Sequence, residues 1–436
     1  MKETFPKKID PEKAKKKYIE LYIGSPDFNL EEFEFHQGRF EAKAEKHAKR
    51  GFLKRVFDRG VEKDYISFAF EEALRENAEW NKMYHMELQG NGELKKEMNA
   101  EFKEWHKMLE VVLENLKKKR DDPNGEGKEV RPLLLVLGGG MAGSYGAGQV
   151  SSLVHSGYMK TFNQAVGISA GACDIAYALA GKEQVLLGSS IYYEDCTKDE
   201  FLVNPITDTM KLVKNPGRLK QIMNVGYLSD VVFDHGPKKL DIDAIQQSST
   251  EFYVQATDIT NPKEQKSELI NAKEKGIIKS IHASMALPWV YRKSVEIDGK
   301  QYQDGALLES FPLEEVIKKF KPTDVLVLPQ VPFENIVGVE EEAKKLSSIA
   351  KYIPNMASLN IGSATLLKKF IQSRGNQREA LEYIQEQTGV NVGIMYPPNC
   401  GMMPITNDPE TVKASVLAAA KRTCEDLGEE MNFKLK

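Results

Sequence analysis

Ser169 lies at the centre of Gly167-Ile168-Ser169-Ala170-Gly171. The G-x-S-x-G spacing puts a serine on a sharp strand-to-helix turn where only small neighbours fit. The helix expected over Gly171 to Ala180 would begin at that serine, and its dipole and free amides would favour developing negative charge there. This is the chemistry of an attacking hydroxyl. Thirty residues earlier, Gly138-Gly139-Gly140-Met141-Ala142-Gly143 follows an apolar run. Glycines at such a place let backbone N–H groups face an anion with no Cβ in the way. The segment also fits G-x-G-x-x-G, a dinucleotide-binding pattern that needs an acid closing the second strand. That strand ends Gly167-Ile168-Ser169, and the next acid, Asp174, falls inside a helix. The third feature is Asp304-Gly305-Ala306, placed where a strand leaves a sheet, with Gly305 permitting a sharp turn.

The elements that would position these residues follow from periodicity. Pro132 to Leu137 is a short apolar run that suits a buried parallel strand. A helix over Tyr145 to His155 and a second strand over Ala165 to Ile168 complete a strand–loop–helix–strand unit, so the core is expected to be α/β. Phe252 to Ala256 and Val325 to Leu328 read as further strands. Val295 to Ile297, the Asp298-Gly299 turn and Lys300 to Gln303 read as a hairpin leading into Asp304. The stretch from Glu340 to Leu427 is mostly helical in pattern.

The glycine loop, the Ser169 elbow and Asp304-Gly305-Ala306, in this order, resemble the patatin-like phospholipase family. Looser similarity extends to Phe252 to Asp258 and to Ala283-Ser284-Met285-Ala286-Leu287-Pro288-Trp289. The resemblance covers roughly residues 131–430 and is closest to bacterial patatin-like proteins. It implies a three-layer α/β/α core with a mainly parallel sheet, preceded by a helical N-terminal region. It further implies a Ser–Asp dyad without histidine: Ser169 as nucleophile and Asp304 as proton acceptor. The loop glycines Gly138, Gly139, Gly140 and Gly143 would form an oxyanion hole, while Gly167, Gly171 and Gly305 serve the elbow and the turn. The family usually carries Arg or Lys before the last loop glycine, where this chain has Ala142. An aspartate of ordinary pKa, about 3.9, is a weak base at neutral pH, so this one should sit in a partly dry site. The implied activity is hydrolysis of lipid acyl esters, phospholipid or neutral, through an acyl-enzyme and without metal or cofactor. Phospholipid, lysolipid and acylglycerol all stay open as substrates, as does transfer to another alcohol.

Two other readings are weighed against this one. Ser169, Asp258 and His282 supply the Ser…Asp…His order of an α/β-hydrolase triad. The glycine loop, however, lacks the preceding histidine of lipases, and His282 lies in a helical run. A catalytically idle lipid-binding protein is the second, opposed by the presence of both Ser169 and Asp304. Cys173, near the elbow, reads as a small buried residue on a helix face.

Composition bounds the rest. With 60 Lys+Arg, 64 Asp+Glu and a net charge of -4, the chain has no global basic field for nucleic acid. Its four cysteines form no C-x-x-C and no zinc spacing, which suits a reducing, cytoplasmic setting. No apolar run reads as a spanning helix and no secretory signal is visible. Residues 1–130 are denser in charge of both signs than the remainder and read as a helical N-terminal region. They end in the turn-rich linker Asp121 to Gly127, before a hydrolase domain over 131–430. Within them, Asp10-Pro11-Glu12 opens a helix that stops at Gly24. Met98, Phe102, Trp105, Leu109, Val112 and Leu116 form one apolar seam, expected to pack on neighbouring elements. Phe40, Ala44, Ala48, Phe52 and Val56 recur every fourth residue opposite Lys43, Lys46, Lys49, Arg50, Lys54, Arg55 and Arg59. That basic amphipathic stretch suits reversible contact with an anionic membrane surface, or, more simply, a helix packed on the domain.

Overall fold

A computed structural model describes residues 92–202, 223–261, 264–287, 291, 293–332, 388–402 and 406–435, with backbone alone over 92–105. The expected helix from Asp10 and the basic stretch over 40–59 lie outside the described residues, as does much of the segment following Glu340.

The chain enters through helix α1, Gly92–Asp121. Leu109, Val112 and Leu116, the described part of its seam, are buried. Asp122 then holds a tight turn through the amides of Gly125 and Glu126, at 2.9 and 3.1 Å. The compact unit runs from Gly92 to Lys436, so α1 belongs with the sheet that follows.

The core strands are β1 (Pro132–Val136), β2 (Gln164–Ile168), β3 (Glu251–Asp258), β4 (Lys266–Asn271), β5 (Val295–Ile297), β6 (Lys300–Asp304), β7 (Asp324–Leu328) and β8 (Asn391–Ile394). They form one sheet in the order β5-β6-β3-β2-β1-β7-β8, with β4 also pairing β3. β3, β2, β1, β7 and β8 are mutually parallel, whereas β4, β5 and β6 join antiparallel. Every residue of β1 and β7 is buried, as continuous apolar strands covered on both faces must be.

Between the strands run α2 (Gly143–His155), α3 (Ala170–Leu179), α4 (Lys182–Glu194), α5 (Ile242–Gln247), α6 (Ile277–Met285), α7 (Leu313–Phe320) and, last, α8 (Pro409–Leu427). On one face Leu313, Val316 and Ile317 of α7 close over Leu133, Leu135, Val166, Val325, Val327, Val392 and Ile394. On the other, α3 rests on Gly167, and α1 on Gly393, where any Cβ would lie 3.0 Å from atoms of Leu109 and Val112. Helices therefore sandwich a mostly parallel sheet, the expected three-layer α/β/α architecture.

The helical pattern read between Glu340 and Leu427 requires one correction: Asn391–Ile394 is a strand. Four residues carry little local signal, and their conformation is decided by parallel pairing along the free edge of β7.

Candidate active site

Ser169 closes β2 in the conformation φ 51°, ψ -119°, which a residue with a side chain adopts only under constraint. Two glycines allow it. A Cβ on Gly167 would lie 2.5 Å from Cα of Ala172, and one on Gly171 would lie 2.4 Å from the carbonyl oxygen of Val136. The elbow thus packs α3 directly against the backbones of β2 and β1. Ser169 caps α3, its carbonyl accepting from the Ala172 amide at 3.0 Å.

Asp304 arrives from the opposite direction along the same edge of β3. Parallel β2 pairs with β3 as far as Ile168 opposite Gln255. The next position, Ala256, is opposite Asp304 of antiparallel β6. Two chain segments therefore meet end to end on one strand, with Ser169 and Asp304 at the junction. Gly305 then turns the chain away, and a Cβ there would sit 2.2 Å from the carbonyl oxygen of Gln255. Asp304 is 2% exposed. One carboxylate oxygen accepts the Ala306 amide at 2.9 Å. The nearby Ser169 hydroxyl favours the charged form of the carboxylate. Burial pushes its pKa up to about 6, against the opposing pull of the Ala306 amide and the Ser169 hydroxyl. The dry environment expected of a basic aspartate is present.

The glycine loop borders Ser169. A Cβ on Gly138 would lie 3.0 Å from Cβ of Ser169. Gly140 has φ 58°, the left-handed region that favours glycine. Among the described residues the amides of Gly139 and Gly140 meet no backbone acceptor. Gly143 differs, because its amide donates to the carbonyls of Gly140 and Met141. It serves packing, with Tyr192 and Ala170 occupying the space where its Cβ would go.

Residues 134–317 match the family model of patatin-like phospholipases. The chain carries a patatin-like phospholipase domain. Ser169, Asp304 and the whole glycine loop fall within the matched residues, and lipid acyl hydrolysis is the chemistry of this family. No curated protein matches the chain. Among solved structures, it is similar to VipD from Legionella pneumophila at 15% identity and a TM-score of 0.32, over 69% of this chain and 67% of that one.

Within the patatin-like domain the residues of the alternative triad are engaged elsewhere. The imidazole of His282 meets the Tyr291 hydroxyl at 3.0 Å, and burial holds its pKa below the usual value. Asp258 accepts the Thr260 amide at 2.9 Å and pairs with Lys300 at 3.3 Å. Cys173 is buried with its sulfur 3.0 Å from that of Met285, and burial raises its thiol well above the ordinary value. No cluster of metal-ligating side chains occurs among the described residues.

Several residues around the site were not singled out as site residues in the sequence. Gln330 packs its Cβ on Gly139 and accepts the Gly146 amide at 2.7 Å. Asp174, buried and pushed well above the carboxylate range by desolvation, accepts from the Tyr192 hydroxyl at 2.9 Å behind Gly143. Ser284 accepts the amide of Ser169 itself at 2.9 Å. Of these only Ser284 lay in a segment whose family likeness could have flagged it.

Proposed function

We propose that this protein hydrolyses lipid carboxylic esters with a Ser169–Asp304 dyad and a glycine-loop oxyanion hole. The observation that carries the proposal is the meeting of Ser169 and Asp304 at adjacent register positions of β3, with the Asp304 carboxylate buried and its pKa lifted to about 6. A base with its pKa close to working pH combines availability with driving force. As Ser169 Oγ attacks the ester carbonyl, Asp304 accepts its proton. The carbonyl π electrons move to oxygen, and that oxyanion receives hydrogen bonds from the amides of Gly139 and Gly140. The end of α3 adds its dipole. Collapse expels the alcohol, which takes the proton from Asp304 and leaves an acyl-serine. Water then attacks the acyl group, giving its proton to Asp304, and the acid departs as Ser169 is reprotonated. No step calls for a metal.

The lipid is reached from the aqueous side, in the cytoplasmic setting that the cysteine usage supports. Among the described residues no helix is long and apolar enough to cross a membrane. The basic stretch over 40–59 supplies reversible contact with anionic surface in this reading. Flotation with anionic but not zwitterionic vesicles, lost on reversing Lys49, Arg50, Lys54 and Arg55 to Glu, tests that contact. Equal flotation of the reversed protein removes it.

The decisive experiment on the dyad uses a soluble ester and a fluorophosphonate. Ser169→Ala and Asp304→Asn should each lose nearly all turnover while folded, and the probe should label Ser169. Retained turnover in Ser169→Ala rules the dyad out. Loss in His282→Ala, with Asp304→Asn still active, would establish the triad instead.

A further inference from the structure

The segment Ala283-Ser284-Met285-Ala286 closes α6 and grips both members of the proposed dyad by their backbones. The Ser169 amide donates to Ser284 Oγ at 2.9 Å. Two residues on, the carbonyl of Ala286 accepts the Asp304 amide at 3.1 Å. Ser284 Oγ in turn donates to the carbonyl of Gln255 at 2.6 Å. Gln255 is the residue of β3 opposite Ile168, next to the one opposite Asp304. Its side-chain amide reaches onward to the carbonyls of Gly305 and Glu309. Ser284 and Gln255 are both 0% exposed.

From this geometry we infer that Ser284 is a positioning residue, a buried hydroxyl that fixes the Ser169 backbone against β3 and so sets the spacing between Ser169 and Asp304. The reasoning is one of constraint. Ser169 sits in a disfavoured backbone conformation, which persists only when its surroundings over-determine it. Its amide is the group whose direction that conformation dictates, and Ser284 is the acceptor it meets. A hydroxyl is suited to the place because it accepts from Ser169 and donates to Gln255 at once. Alanine could do neither, and would leave a buried donor without a partner. The inference rests on the dyad reading given above.

Ser280 provides an internal control. It lies one turn earlier on α6, is 0% exposed, and its hydroxyl has no hydrogen-bond partner among the described residues. The experiment measures fluorophosphonate labelling of Ser169, and kcat and KM on a soluble ester across pH, in wild type, Ser284→Ala, Ser284→Thr, Ser280→Ala and Ser169→Ala. A misplacement approaching 1 Å can cost about 100-fold in rate. Ser284→Ala should therefore lose labelling rate and kcat in parallel, by about 10- to 100-fold, with KM little changed. Because the Ser169 hydroxyl holds the Asp304 pKa down, moving it away should also move the acid limb of the pH profile upward. A purely structural role would leave that limb in place. Ser284→Thr, which keeps the hydroxyl, should recover most of the loss, and Ser280→Ala should label like wild type. Where Ser284→Ala loses its fold, the threonine variant and its pH profile decide: a shifted limb with slowed labelling overturns the hydroxyl's sufficiency, and a wild-type profile supports it. Wild-type labelling in folded Ser284→Ala overturns the inference while an inactive Ser169→Ala leaves the dyad standing. An active Ser169→Ala removes both.

Discussion

Asp304→Asn should make the protein more stable at neutral pH while abolishing its proposed activity. The carboxylate is buried and its pKa rises from 3.8 to about 6 on folding. The folded state therefore binds this proton more tightly than the unfolded chain does. The stabilisation associated with the raised value is fully present below about pH 3.8 and is lost as pH rises through about 6. Above about pH 7 the wild type bears the whole cost of a desolvated charge, and at about 1.4 kcal/mol for each unit the change corresponds to about 3 kcal/mol. Asparagine keeps an oxygen for the Ala306 amide at little change in volume, but it carries no charge to desolvate. Urea unfolding at two pH values measures the difference by linear extrapolation. Near pH 8 the variant should be more stable by up to about 3 kcal/mol, with some of this offset by burial of its amide N–H groups. Near pH 5 the gap should shrink to about half, because the folded wild type is then largely protonated. A variant less stable than wild type at pH 8, or a gap of equal size at both pH values, would refute the assignment of a desolvated Asp304.

Two more expectations concern turnover. The acid limb of kcat on a soluble ester should have an apparent pKa of about 6, with activity falling as Asp304 gains its proton. A limb near pH 4 would mean the carboxylate is well solvated. In Gly139→Ala the new methyl would sit 2.5 Å from Cβ of Gln330, so the loop must shift. Losing one oxyanion donor typically lowers turnover about 100- to 1000-fold, and kcat should fall far more than KM rises. Unchanged turnover in that variant would take Gly139 out of the oxyanion hole.

The parts of the fold that could be read in the sequence are those with local demands. Asp298 and Gly299 both take positive φ between β5 and β6, so the Asp-Gly pair announces its hairpin. Gly167 and Gly171 stand where a side chain would strike backbone, so the elbow is visible as glycine spacing. β1 and β7 announce themselves as apolar runs because both their faces are covered. What escaped is made by contacts between distant parts of the chain. β8 owes its conformation to β7, and Gln330 matters only because the chain after β7 brings it beneath Gly139. The turn-rich segment at Asp121 to Gly127 looks like a linker by composition. Once α1 is laid back onto β8 and its neighbours, that segment is a tight turn inside a compact unit.

The sheet topology explains how the proposed two-residue dyad would be held without an intervening imidazole. A histidine in a triad bridges a nucleophile and an acid that lie on separate loops, and its ring spans the gap between them. Here the two partners come from strands that end against each other on one edge of β3, at adjacent register positions. The spacing is then set by the ladder itself, the most reproducible dimension in the fold. The remaining freedom, rotation of each backbone at its strand end, is taken up by Ser284 for Ser169 and by Ala286 and Thr257 for Asp304, the Thr257 hydroxyl donating to the Asp304 carbonyl at 2.8 Å. Such a junction forces the acid into the interior, because β3, β6 and the end of α6 surround it. Burial lifts the carboxylate toward neutral pH, which suits it to the proposed role of base, and the same burial destabilises the fold. In the proposed dyad the basicity and the stability cost are one quantity measured in two assays, so Asp304→Asn must move both together.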